Sequence, residues 1–183
     1  MPYISAYNPL LTETLIDQLL GIIYRDMQGA LDLNNPPAGS LPSFVEWDLA
    51  EVPIMNFPAL LLTPDSENFD IEVPMMVVQK PIRITGAVAV AHQQPSMVAR
   101  LLQRYLRAVY MVLRTSFEAT PVDFTAQLAL PPNVGNATSA GLQAGALKNF
   151  WIEGLAYDQL RRRPEGIFAK AAVFSLLAEI HET

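Results

Sequence analysis

No cysteine occurs among the 183 residues, so a disulfide framework, a thiol nucleophile and a Cys-ligated zinc are all excluded. Histidine is almost as scarce, with His92 and His181 the two present. Nucleophilic catalysis needs a nucleophile, a base and a group that orients the base. Neither histidine stands near a GxSxG elbow; His92 falls at the end of a β-rich run and reads as a loop or cap residue. Metal spacing of the HExxH type is missing, since His181-Glu182 is an incomplete pair. Asp65, Glu67, Asp70 and Glu72 cluster, but Pro74 and the lack of a turning glycine exclude an EF-hand loop. Like Glu46, Asp48 and Glu51, they read as a solvated acidic turn. Phosphate cradles are absent as well: there is no GxxxxGK[ST], no GxGxxG after a strand, and the glycines of GNATSAGLQAG are too widely spaced. No catalytic, cofactor-binding or metal residue is expected, and an enzyme is not the reading.

Charge is the next shortage. Charged residues make up 16% and apolar residues 51%, against roughly 25% charged in ordinary soluble domains. So little charge leaves a lone subunit's surface poorly covered, and part of that surface is expected to be buried against sister copies. A compact, weakly charged monomer is the alternative. The net charge of −6 and pI near 4.8 argue against a protein built to grip nucleic acid. They suit a surface that DNA slides past. No stretch reaches the ~18 uninterrupted apolar residues of a membrane span. The first twenty residues lack a basic n-region and a cleavage site, so no membrane partner is expected.

The most informative stretch is Pro95 to Ser116. Val98, Leu101, Leu102, Tyr105, Leu106, Val109, Val112 and Leu113 recur at the three- and four-residue steps of one helix face. Arg100, Arg104, Arg107 and Arg114 fall together on the opposite face. Ser96 is the expected N-cap, with Pro95 outside the helix. The arginine stripe reads either as solvated helix surface or as a contact with an acidic subunit or phosphate.

Asn8 and Pro9 precede a first helix, about Leu10 to Met27, whose apolar side is Leu11, Leu15, Ile16, Leu19, Ile22 and Ile23. LNNPPAGSLP, Leu33 to Pro42, is a loop. Phe57 to Thr63 reads as a buried strand, and PDSENFD as a turn. Two β-rich runs follow, Asp70 to Val78 and Ile82 to Ala91, joined through Gln79, Lys80 and Pro81 as an antiparallel pair. Pro74 places the first at an edge or bulge. Pro121 to Leu130 gives no clear signal, and Pro131 to Asn149 is a long loop of small and turn-forming residues. Phe150 to Asp158 reads as a strand and Gln159 to Gly166 as a charged turn carrying Arg161, Arg162 and Arg163. IFAKAAVFSLLAEIHE, Ile167 to Glu182, has helical propensity but follows a strand and a tight turn, so it is read as a strand. The fold class is α+β: an antiparallel or mixed sheet packed against a long amphipathic helix and an N-terminal helix. A single domain spans 1–183, with extended loops at about 33–56 and 131–149.

This order of parts, ending in FWIEGLAYDQLRRRPEGIFAKAAVFSLLAEIHE, resembles the tail terminator and tail-completion proteins of long-tailed bacteriophages over roughly Leu10 to Glu182. The resemblance implies a structural virion protein forming a ring, hexameric in the family, at the head-proximal end of the tail tube. Such a ring ends tube polymerisation and joins tail to head. Implied partners are sister copies, the tail tube protein and a head-completion or connector protein, with DNA passing through the lumen without sequence-specific contacts. The implied location is the virion neck, after assembly in the host cytoplasm. The family has no active-site residues or cofactors to carry over. Arg100, Arg104, Arg107, Arg114, Arg161, Arg162 and Arg163 are the candidate subunit or channel contacts. A head-completion or adaptor ring, and a monomeric ligand-binding domain, are the alternative readings.

Overall fold

The computed structural model describes residues 11–34, 41–47, 56–67, 78–119, 146–164 and 166–182. Helix α1 spans Leu11–Asn34, followed by strands β1 (Glu46–Trp47), β2 (Ala59–Glu67) and β3 (Val78–His92). Helix α2 is Pro95–Ala119, and β4 (Ala146–Tyr157), β5 (Arg161–Arg162) and β6 (Phe168–Glu182) complete the order. The strands form one mixed sheet in the order β1-β2-β3-β6-β4, with β5 paired to β6. The fold is α+β, with both helices on one face of a sheet that does not close.

The centre of the sheet is the antiparallel pair β3 and β6, in register from Val78↔Glu182 to His92↔Phe168 without a shift. Side chains alternate across a strand, so this register fixes which residues face the helices. Ile82, Ile84, Val88 and Val90 of β3 and Ala172, Phe174, Leu176 and Ala178 of β6 are all buried. Gly86 interrupts the β3 series opposite Phe174. A Cβ there would run into the Phe174 ring, so the glycine makes room for an aromatic in the middle of the core. The segment with helical propensity thus becomes a central strand. Two strand neighbours and a buried face outweigh its local preference.

Against this face lie Leu15, Ile16, Leu19, Ile22, Ile23, Met27, Ala30 and Leu31 of α1, and Val98, Leu102, Tyr105, Ala108, Val109, Val112 and Leu113 of α2. Helix α1 contacts α2 and β2, whereas α2 lies over β3 and β6. Helix α1 is seven residues longer at its C-terminal end than expected, because the apolar period continues through Met27, Ala30 and Leu31 before Pro36 and Pro37. Helix α2 starts at Pro95 instead of being capped by Ser96. The amides of Met97 and Val98 both donate to the Gln94 carbonyl, and Pro95 occupies the first helical position, where a missing N–H costs nothing.

Several boundaries expected from sequence are corrected. Gln79, Lys80 and Pro81 are not a junction but part of β3. Pro81 lies just past the last β2 pair, Glu67↔Ile82, so no ladder bond is lost on that side. The partners of β3 are β2 and β6; residues 70–77 lie outside the described residues. Pro64 to Glu67, expected as a turn, extend β2 around a bulge between Pro64 and Ser66. Beyond Leu60 that side of β2 has no β1 partner, so a proline is tolerated there. Residues 146–149 of the expected long loop belong to β4, and the charged turn holds β5. The remainder of that loop, 131–145, and residues 121–130 lie outside the described residues.

Residues 41–47 are pinned from both helices. Gln28 Nε2 donates to the Leu41 carbonyl at 3.0 Å, and Tyr105 Oη donates to the Pro42 carbonyl at 2.6 Å. Phe44 is buried against the Tyr105 ring at 5.3 Å. Burial pushes the Tyr105 hydroxyl from 10 up to about 12. Its folded pKa lies above its unfolded one, so its contribution to stability is complete below pH 10 and declines as pH rises towards 12. Tyr105→Phe is expected to cost about 1 kcal/mol at neutral pH and to flatten the decline of stability above pH 10, measured by urea unfolding across that range.

Candidate functional site

With both helices on one face, the opposite face of the sheet is formed by the alternate residues: Leu61 and Thr63 of β2, Thr85 and Ala87 of β3, Val173 and Leu177 of β6, and Trp151 of β4. Among the described residues neither helix packs on it, although Ala59 and Ala89 at its end near the Arg161–Arg163 turn are buried. Trp151 is 44% and Val173 39% exposed. A single ion pair, Arg83 to Glu153 at 3.6 Å with both side chains near half exposed, marks one part of it. Such a pair contributes little in water. An apolar sheet face of this kind normally packs on another layer.

The edge strand β4 carries further exposed apolar residues, Leu155 and Tyr157 standing on the helix side by register. Gly154 adopts a left-handed φ of 57° where the register slips between Glu153 and Leu155, a bulge position that suits glycine. Leu155, Tyr157 and Leu160 are exposed beyond it. On the helix side, a depression of about 270 Å³ opens between α2 and β4. Leu106, Val109, Tyr110, Ile152, Leu155 and Phe174 line it, and its walls are almost entirely apolar.

The seven arginines singled out from sequence separate into two groups. On α2, Arg100, Arg107 and Arg114 are exposed and Arg104 half-buried, all on the side turned away from the sheet. Arg114 donates to the Tyr110 hydroxyl, and its guanidinium stands 5.5 Å from that ring's centroid. The other three lie near the end of the sheet where β3 finishes and β6 begins. Arg161 pairs with Ala169 and Arg162 with Phe168 across the β5–β6 turn, and Arg163 N–H donates to the Ile167 carbonyl at 2.8 Å. Arg161 approaches Asp158 at 3.3 Å. Arg163 stacks over Phe57 at 4.7 Å, bridging from the turn to the residues before β2. Between them runs an open groove of about 450 Å³ with Ala89, Ala169 and Ala171 among its lining residues and Lys170 beside them.

Among the described residues no group of three or more metal-ligating side chains converges, and no helix is long and apolar enough to cross a membrane. His92 Nδ1 accepts the Gln94 amide at 3.0 Å, a turn contact before α2. The arginines were visible in the sequence; the exposed sheet face was missed. Its signal lay in β3, where large residues at 82, 84, 88 and 90 alternate with alanines at 87, 89 and 91. FWIEGLAYD likewise places apolar residues on both of its faces.

No protein-family model matches the chain, and no curated protein matches it. Among solved structures, it is similar to a chain from a structure described as "Virion of native gene transfer agent (GTA) particle". The likeness has a TM-score of 0.40 and 11% identity, and covers 94% of this chain and 99% of that one.

Two members of the arginine triplet are expected to differ in structural weight. Arg163→Ala, which removes the stack on Phe57, should cost about 0.5–1 kcal/mol. Arg162→Ala should stay within about 0.5 kcal/mol of the parent, as thermal unfolding of the two variants would show.

Proposed function

We propose that this chain is a structural subunit of a phage-like virion, which assembles with copies of itself into a ring, hexameric by the family it resembles. The ring sits at the head-proximal end of the tail tube, ends tube growth and joins tail to head. The observation that carries the reading is the apolar sheet face opposite the helices, which neither helix covers and on which Trp151 and Val173 are exposed. A two-layer fold with a third apolar surface lacks a covering layer, and a sister subunit supplies one. The low charge of the whole chain points the same way. Heterologous contacts between unlike patches build closed rings when the rotation closes. The absence of any convergent chemistry among the described residues agrees with an architectural role. A second reading, a single-copy domain that binds an apolar ligand, is favoured only by the depression between α2 and β4.

Light scattering on the purified chain, alone and with tail tubes, tests the proposal. The expected result is a particle near 121 kDa, six times the 20.2 kDa subunit, or a single copy that assembles on tubes. Val173→Glu, which puts a charge on the open face, should weaken assembly about tenfold or more while leaving the fold intact. A chain that stays single under both conditions would rule the ring out.

A further inference from the structure

The chain's charges are segregated along the sequence, and the fold puts exposed members of the two sets on different elements. From Asp26 to Gln79 there are nine carboxylates and no lysine or arginine. Of the twelve cations, only Arg25 precedes residue 80. Residues 1–79 therefore carry −10 and residues 80–183 carry +4, which together give the net −6. In the sheet order β1-β2-β3-β6-β4, the acidic part supplies one edge, β1 and β2 with α1 above them. Asp17, Asp32 and Asp65 are exposed there. The cationic part supplies β3, α2, β4, β5 and β6. The Arg161–Arg163 groove crosses the end of the β3–β6 pair and reaches Phe57, just before β2, with four cations and one carboxylate, Asp158, among its described residues.

From this polarity we infer that the groove of Arg161, Arg162, Arg163 and Lys170 receives the acidic edge of a second copy, the one built by α1 and β2. The inference rests on the ring reading and names its contact surfaces. Three observations favour a sister chain over a nucleic acid. The complementary charge is present on the same molecule in exposed positions. The whole chain is acidic, so a phosphate polymer meets net repulsion outside the groove. The groove also has an alanine lining and the Phe57–Arg163 stack, which suit a protein surface with apolar residues between its carboxylates. Because the two patches are different, each contact leaves one of each sign unpaired. The next copy then joins head to tail, as ring closure requires.

A charge exchange tests this directly. One variant, R161E/R162E, makes the groove acidic; the other, D17K/D65K, makes the acidic edge basic. All four residues are exposed, and circular dichroism confirms that each variant folds. Each variant alone should self-associate at least about tenfold more weakly than the parent. Their equimolar mixture should recover assembly, with the two variants alternating. Parental association should weaken as salt is raised from about 0.1 M to 1 M, where the screening length falls from about 10 Å to 3 Å. If the parent assembles and both variants assemble equally well, the edge contact is wrong and the ring stands. A parent that remains single with and without tubes removes the ring reading itself. If R161E/R162E loses retention of duplex DNA while its self-association is unchanged, the groove serves phosphate and the inference is overturned.

Discussion

The unbroken register of β3 against β6 is the constraint from which the rest of this structure follows. Fifteen residues of each strand pair without a slip, and that places Phe174 over the one β3 position with no side chain, Gly86. A slip of one residue would turn every large side chain of both strands to the wrong face. With the register fixed, Ile82, Ile84, Leu176 and Phe174 form the floor on which α2 rests, while α1 packs on α2 and β2. The smaller residues of the same strands are turned to the other side.

That division of large and small residues creates the surface on which the proposed assembly rests. The helices need only one face, and what remains is a sheet surface of alanine, valine, leucine and threonine with few charges. The energetic argument is one of scale. Each buried Val or Leu side chain contributes about 1.5–3 kcal/mol relative to exposure, so covering a face of several such residues is a strong drive to assemble. In the proposed ring, charge selects the partner's orientation, because an acidic edge and a cationic groove disfavour like-with-like contact. Apolar burial supplies affinity and the polarity supplies direction.

Much of the fold was legible in the sequence, for definite reasons. The period of α2 was unambiguous because Val98, Leu102, Tyr105, Val109 and Val112 never break step. The strand at β6 was readable only through its context, after FWIEGLAYD and a tight turn, since its residues alone favour a helix. What failed were boundaries that depend on distant neighbours. Pro64 and Pro81 look like strand breakers, yet both lie within strands, Pro64 beside a bulge and Pro81 next to the end of the described β2 pairing. Ser96 looks like a cap, but Gln94 accepts the first amides and Pro95 begins the helix. At the candidate site, the arginines of α2 and of the 161–163 turn were visible as a pattern. Their distribution to different parts of the molecule was not, because only the sheet order reveals it. The open apolar face was also hidden, since an alternation of valine and alanine resembles an ordinary buried strand until the helices are seen to lie on one side.

The central claim is that a sister subunit covers the open face of the sheet. The chain has no cysteine, so Val173→Cys introduces a single thiol at the middle of that face without competing sites. Its rate of alkylation, measured in dispersed subunits and in assembled rings, tests the claim most directly. The account predicts rapid labelling when dispersed and strong protection on assembly. Equal labelling in both states would show that the face stays open to water, and would contradict it.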